Sequence, residues 1–137
     1  MLGLPSNWQL TLENLNLTAA NSIGLLVHTL KPASQPLKRL ALRECSLSSD
    51  SWPPAGDGLL GTVIGLRCCS LTAQGSLQAA LGAGLQRMPG LRTVDFIGCN
   101  LSAGIPAELC SLPAISRLCL DYCQLTELPH LACQTGE

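Results

Sequence analysis

The sequence contains few charged side chains and no cluster of basic ones. Only 12% of its 137 residues are charged, against about 25% in a typical globular domain, and the formal net charge is −1. Nucleic acids and anionic membranes are bound through clustered Lys and Arg, so neither is predicted as a partner. Two explanations of the low charge stay open: a partner or flanking sequence covers part of the surface, or the composition is biased toward Ala, Gly and Cys.

Long hydrophobic runs are also missing. No stretch of 18 apolar residues occurs, so no membrane insertion is predicted, and Met1–Leu10 lacks the charged start and apolar core of a signal peptide. Eight cysteines would suit a secreted disulfide framework, but the pattern described below assigns four of them to structural positions. We therefore expect a reducing, cytoplasmic location.

Motifs for catalysis and for metal binding are absent too. The sequence has no nucleophile elbow, phosphate loop or zinc-protease motif, and its two histidines, His28 and His130, lie far apart along the chain. No C-x-x-C pair supplies zinc ligands. Because a catalytic site needs a nucleophile, a base and an orienting group together, we predict no enzymatic activity, no metal and no cofactor.

Five segments of the chain share one hydrophobic frame. They begin at residues 7, 37, 61, 91 and 115 and follow the pattern L-x-x-L-x-L-x-x-N/C-x-L. Side chains two apart on a strand share a face, and repeats stack because one strand cannot bury its apolar face alone. We therefore predict a single domain over residues 1–137. Its fourth, sixth and ninth positions form a repeat core that includes Leu40, Leu42, Cys45, Ile64, Leu66, Cys69, Val94, Phe96, Cys99, Leu118, Leu120 and Cys123.

The segments that connect these frames alternate between long and short. Apolar residues at helical spacing predict a helix in each long segment, starting near Thr18 and Thr72. The short segment 101–112 reads L-x-G-x-I-P-x-x-L-x-x-L, and its Pro106 limits it to a brief helical turn. The short segment 48–60, with Trp52 and two prolines, is predicted to be an irregular loop.

Together these features resemble leucine-rich-repeat proteins. The long repeats are similar to the ribonuclease-inhibitor type, and residues 101–112 look like the plant type. The resemblance covers residues 7–131 and implies an α/β fold, a curved right-handed solenoid with a parallel sheet on the concave face and helices and loops on the convex face. Because neither end carries a cap, we expect a fragment of a longer solenoid whose ends contact flanking repeats or a larger complex.

The resemblance also implies that the concave face binds a partner protein. Arg43 and Arg67 are expected side by side on adjacent strands, where an acidic partner group could bridge them, unless Glu13 and Asp95 already neutralise them. Cys68 and Cys119 are expected to be exposed there, with their redox reactivity left open. The predicted partner-binding residues are Arg39, Arg43, Arg67, Asp95, Arg117, Asp121 and Tyr122.

The function implied by the resemblance is that of a protein–protein interaction module or scaffold. One alternative is a regulatory inhibitor or a GTPase-activator-like repeat domain, suggested by the long repeats, although the sequence identifies no catalytic arginine on a loop. A second alternative is a passive structural subunit of a larger assembly. Fold resemblance alone does not separate these functions, because one fold supports many roles.

Overall fold

The computed structural model describes residues 8–30, 36–54, 58–102 and 104–123. Strands and helices are interspersed along these residues, as expected for an α/β chain. In chain order they are β1 (Trp8–Glu13), α1 (Ser22–Leu30), β2 (Leu37–Arg43), β3 (Ser46–Leu47), β4 (Gly65–Cys69), β5 (Thr72–Ala73), α2 (Leu77–Leu85), β6 (Thr93–Ile97), a 3₁₀ helix (Ala107–Ser111) and β7 (Arg117–Asp121).

Five strands form one parallel sheet in the order β1-β2-β4-β6-β7. Each strand is paired with the strand of the next repeat, so the order in space follows the order along the chain. Parallel neighbours need a crossover connection between them, and the segments that contain α1, the 48–60 loop, α2 and the 3₁₀ helix provide it. A small parallel pair, β3 with β5, lies beyond the main strands.

The core lies on one side of this sheet. Alternate side chains of β1, β2, β4 and β6 are buried there, together with Ile23 and Val27 of α1 and Leu81 and Leu85 of α2. These strands bury one face against the connecting segments, which explains why the apolar period is two on the strands and longer in the helices. On β7, Leu118 and Leu120 are only partly buried against this core.

The third repeat lies two residues away from its predicted frame. Leu40 is paired with Leu66 rather than with Ile64, and Leu42 is paired with Cys68. Cys68 is fully buried, whereas Ile64 is half-buried, so the prediction that Ile64 belongs to the repeat core is wrong. The predicted frame was plausible because a shift of two residues leaves the same side chains on the same face of a strand.

The corrected frame starts this repeat at Val63 instead of Gly61. Val63 is fully buried, like Leu37 and Leu91 at the first position of the neighbouring repeats. The ninth position is then Leu71, which is buried, and Cys69 faces the other side of the sheet in a half-buried position. The prediction that Cys69 belongs to the core is therefore also wrong.

Backbone geometry at the eighth position supports the corrected frame. This residue has a positive φ in all five repeats: Asn14 (59°), Glu44 (54°), Ser70 (52°), Gly98 (68°) and Tyr122 (56°). The left-handed turn aims the amide at the neighbouring strand, so that Glu44 N donates to Cys69 O at 2.9 Å and Ser70 N donates to Ile97 O at 2.8 Å. One turn geometry thus recurs in every repeat, with five different side chains.

Three ninth-position cysteines bond the backbone of the preceding repeat. The Sγ of Cys45 donates to Leu12 O at 3.3 Å, that of Cys99 to Cys68 O at 3.3 Å, and that of Cys123 to Phe96 O at 3.0 Å. In each case the acceptor is the sixth-position carbonyl of the preceding repeat. These thiols therefore join adjacent repeats through hydrogen bonds while remaining part of the apolar core.

The connecting segments have the predicted kinds of structure but different starting points. The two helices begin at Ser22 and Leu77, several residues after the predicted threonines, and the Ser76 side chain caps α2 by accepting from Ala79 N at 3.1 Å. Pro106 precedes the short 3₁₀ helix, as predicted. Residues 48–54 and 58–64 contain no helix or strand, which agrees with the predicted irregular loop.

Candidate interaction surface

The sheet face opposite the core carries mostly exposed or half-buried polar side chains. It is built from the third, fifth and seventh positions of the repeats, which alternation places on one side of the strands. We call this surface the open face. Its members are Gln9, Thr11, Glu13, Arg39, Ala41, Arg43, Gly65, Arg67, Cys69, Thr93, Asp95, Ile97, Arg117, Cys119 and Asp121.

A depression of about 270 Å³ lies in the middle of the open face. Its floor includes the backbone of β2 and β4, where Ala41 and Gly65 have little or no side chain. Longer polar side chains stand around it. The open-face residues that line it are Gln9, Thr11, Arg39, Ala41, Gly65, Arg67, Thr93 and Asp95.

Gly65 allows the Arg39 side chain to lie across the neighbouring strand. The two residues are register partners on β2 and β4. A Cβ at Gly65 would lie 2.8 Å from Nη1 of Arg39 and 3.2 Å from Oγ1 of Thr93, so a larger residue would displace the guanidinium group. A glycine inside a strand often marks such a close approach. This signal in the sequence would have identified Gly65 as a site residue, and with it Thr93, its register partner on β6.

Arg67 and Asp95 face each other across β4 and β6 without forming an ion pair. They are register partners, yet the ion pair between charged side chains of the described residues is that of Arg43 with Glu13. The Oδ1 atom of Asp95 is buried and has no hydrogen-bond partner. Buried polar atoms usually have a hydrogen-bond partner, so this oxygen marks Asp95 as a candidate site residue.

Arg43 and Arg67 are not neighbours, and the sequence prediction for this pair is wrong. Arg43 lies opposite Cys69 on β4, because the third repeat begins two residues later than predicted. Its Nε lies 3.7 Å from Oε2 of Glu13, with both side chains more than half exposed. A solvent-exposed pair of this kind contributes little to stability. Because Arg43 and Glu13 lie outside the depression, Arg39 and Arg67 are the cationic side chains among its lining residues.

The remaining predicted partner-binding residues lie on the last described strand and its turn. Arg117 and Asp121 stand at the two ends of β7 on the open face and are exposed. Tyr122 follows at the left-handed eighth position and is 86% exposed. The structure therefore separates the predicted residues into a central group around the depression and a second group at the β7 edge.

The cysteines expected on this surface are arranged differently. Cys68 is buried in the core, where burial raises the pKa of its thiol well above the ordinary value, so the prediction that it is exposed is wrong. Cys119 is half-buried on the open face. Burial, and then a hydrogen bond with Asp121, raise the pKa of its thiol. Both thiols are thus held protonated at neutral pH, which lowers their reactivity.

The other candidate ligands do not converge. His28 is exposed on α1 and Cys110 is exposed on the 3₁₀ helix, while His130 and Cys133 lie outside the described residues. Within the ranges that the structure describes, no three His, Cys, Asp or Glu side chains are grouped so that they could hold a metal ion. The helices of those ranges include none that is long and apolar enough to cross a membrane.

Comparison with known proteins adds one finding to this geometry. Residues 90–112 match the family model of the Leucine Rich Repeat, a segment that contains β6, Pro106 and the 3₁₀ helix. No curated protein and no solved structure matches the chain. Leucine-rich repeats typically serve as non-catalytic interaction modules, so the match suggests protein binding in general. The matched repeat, with five parallel strands in register around it, supports a leucine-rich-repeat protein.

Proposed function

We propose that this chain is a protein–protein interaction module that binds a partner protein through the open face. The observation that carries the proposal is the depression at the centre of that face, lined by two arginines without an ion-pair partner among the described residues.

Repeats of this kind stack into solenoids. We therefore also propose a right-handed, curved solenoid of five repeats, with long ribonuclease-inhibitor-type repeats and a plant-type repeat at residues 101–112.

The chemistry of the open face suits a protein partner. Arg and Tyr are enriched among the residues that dominate binding energy at protein interfaces, and Arg39, Arg67, Arg117 and Tyr122 are all present here. Strands β2, β4 and β7 hold the three arginines, and strands position contact groups more rigidly than loops. We propose that Arg43, Asp95 and Asp121 take part as well, by setting the pattern of charge that a partner must match.

A reducing compartment such as the cytoplasm is part of this proposal. The thiols of Cys45, Cys99 and Cys123 donate hydrogen bonds between repeats, and a disulfide would remove each of these donors. The described cysteines are free. Proteins kept reduced in the cytosol can use thiols in this way.

The activator alternative gains no specific support. It needs an arginine on a loop that reaches a bound nucleotide. Among the described residues, Arg39, Arg43, Arg67 and Arg117 lie on strands, Arg87 donates from Nε to Pro53 O at 2.8 Å, and Arg92 is exposed directly before β6 rather than on an extended loop. We therefore keep the binding module as the proposed function.

Affinity capture from native extract with matched variants tests this function. Arg67→Glu reverses a charge on the open face, and Tyr122→Asn removes the exposed ring with a residue that tolerates the left-handed backbone. We expect each variant to bind the partner at least about tenfold more weakly than the wild type and so to capture less of it, since interface anchors contribute about 1.4 kcal/mol or more. Mass spectrometry of the co-eluting chains measures the captured amount.

The control for this experiment lies on the opposite side of the molecule. Ala79 is exposed on α2, so Ala79→Arg adds charge to the covering helices and leaves the open face intact. We expect this variant to capture as much partner as the wild type. Loss of capture by Ala79→Arg together with full capture by Arg67→Glu would place the binding surface on the helices and refute the proposal.

A further inference from the structure

Two arginine side chains line the depression. Arg39 extends from β2 over Gly65 of β4, and Arg67 stands two residues beyond Gly65 on the same face of the same strand. Side chains two apart on a strand are separated by about 7 Å, so the Arg39 guanidinium lies over β4 about one side-chain spacing from the point where Arg67 leaves the same strand. Like charges this close repel each other in the absence of an anion between them.

The charges around the depression are not balanced. Glu13 is 3.7 Å from Arg43 at the end of the strands and does not line the depression, whereas Asp95 does. Two positive side chains therefore stand against one carboxylate, and the excess corresponds to a single positive charge. Thr93, Gln9 and Thr11 add neutral polar groups to the lining.

From this arrangement we propose that the depression binds the side-chain carboxylate of an Asp or Glu residue of the partner protein, between Arg39 and Arg67. The inference rests on the proposed binding function and names the chemistry of its central contact. Guanidinium groups present N–H donors in a planar fork that matches a carboxylate, and such charge-assisted bonds are among the strongest available to proteins.

Asp95 favours a carboxylate over a phosphate group at this position. A carboxylate brings one negative charge, which equals the excess positive charge of the depression, whereas a phosphorylated side chain brings about −1.5 to −2. The additional charge would lie beside Asp95 and repel it. Asp95 therefore acts as a specificity residue, which limits the depression to a singly charged acidic group.

Titration with short peptides, followed by NMR, tests the proposal on the full chain. The probes are the blocked tripeptide Ac-Ala-Glu-Ala-NH₂, the same peptide with Gln, and the same peptide with phosphoserine. A single contact of this kind binds weakly, at about millimolar concentration, which chemical-shift titration detects. We expect the Nε–H resonances of Arg39 and Arg67 to move saturably with the Glu peptide, and the Gln peptide to bind at least tenfold more weakly.

Variants of the chain sharpen this test. Arg39→Gln and Arg67→Gln should each weaken the Glu peptide at least tenfold, and Gly65→Ala should weaken it by displacing the Arg39 guanidinium. Arg92→Gln removes an exposed arginine that does not line the depression and should leave the affinity unchanged. Asp95→Asn should increase the affinity for the phosphoserine peptide more than for the Glu peptide. The backbone amide spectrum verifies that each variant is folded.

Three outcomes would overturn the inference: equal binding of the Glu and Gln peptides, full affinity in both arginine variants, or no shift at either arginine with any peptide. Preference of the wild type for phosphoserine over Glu would assign the depression to phosphorylated partners instead. The capture experiment on Arg67→Glu and Tyr122→Asn is independent of these peptides. If the wild type captures a partner that these two variants capture poorly, while the peptide titration fails, only the acidic contact is rejected and the binding function stands.

Discussion

At the scale of single residues, the eighth position of each repeat requires a backbone conformation that most side chains disfavour. Its φ is positive in all five repeats, yet only Gly98 supplies the residue type best suited to it. The hydrogen bonds from Glu44 N and Ser70 N to the next strand hold the turn in place. The left-handed conformation costs about 1–2 kcal/mol for most L-amino acids, so these positions carry local strain.

This strain predicts opposite effects of two matched substitutions. Gly98→Ala should lower the free energy of unfolding by about 1–2 kcal/mol, because the new Cβ enters a left-handed residue and lies 3.2 Å from Oγ of Ser70. Ser70→Gly, at the same position of the preceding repeat, should be neutral or stabilising by up to about 1 kcal/mol. Urea denaturation measures both. Equal losses in the two variants would contradict a shared left-handed requirement.

At the scale of the elements, the irregular loop after β3 is attached to α2 by one buried side chain. Trp52 is 4% exposed, and its Nε1 donates to Ala80 O at 2.8 Å. The ring lies against Gly84, where a Cβ would be 2.7 Å from Cη2 and still closer to two other ring atoms. The sequence predicts this loop to be irregular, but it does not show that a tryptophan fills the space beside a helix.

Two buried glycines of α2 therefore differ in what they tolerate. Gly84→Ala should lower the free energy of unfolding by about 1–3 kcal/mol, because the packed Trp52 ring must move. Gly82→Ala should change it by less than about 1 kcal/mol, because the added Cβ meets the carboxylate end of Glu108, and alanine improves helix propensity. Thermal and urea denaturation compare the two. A larger loss at Gly82 than at Gly84 would mean that Trp52 does not pack against this helix.

Element types could be predicted from the sequence better than their boundaries. Apolar spacing identified α1 and α2, because amphipathic patterns reflect which face of an element is buried, and Pro106 identified the short 3₁₀ helix. The helix starts were predicted too early, since Thr18 and Thr72 are not the capping residues. Ser76 caps α2, and only the path of the chain after β5 determines which of several hydroxyl residues occupies that place.

At the scale of the whole molecule, the register between repeats determines which residues share the core. Leu66 stands in a row with Leu40 and Val94 and is 3% exposed, whereas Ile64 lies before the start of β4 and is half-buried. Leu118 continues the row but is only partly buried. Substitution of Leu118 by a charged residue would therefore test the register less sharply than substitution of Leu66.

We expect Leu66→Arg to abolish cooperative folding, because an unpaired charge would be buried in the seam that joins the repeats. Ile64→Arg should lower the melting temperature less, because the longer side chain can extend from a half-buried position to water. Circular dichroism during heating measures both. If Ile64→Arg unfolds the chain while Leu66→Arg melts like the wild type, the originally predicted frame is right and the register described above is wrong.

The repeats, the parallel pairing of their strands and the burial of three of the four predicted ninth-position cysteines all follow from the sequence, because stacking makes burial periodic along the chain. The frame of the third repeat could be assigned only from the pairing of β4 with β2 and β6, since a two-residue shift exposes and buries the same faces of a strand. In the observed register, Arg67 lies opposite Asp95 and not beside Arg43, and Arg39 lies over Gly65. The candidate site therefore depends on pairing between strands, which no local pattern encodes.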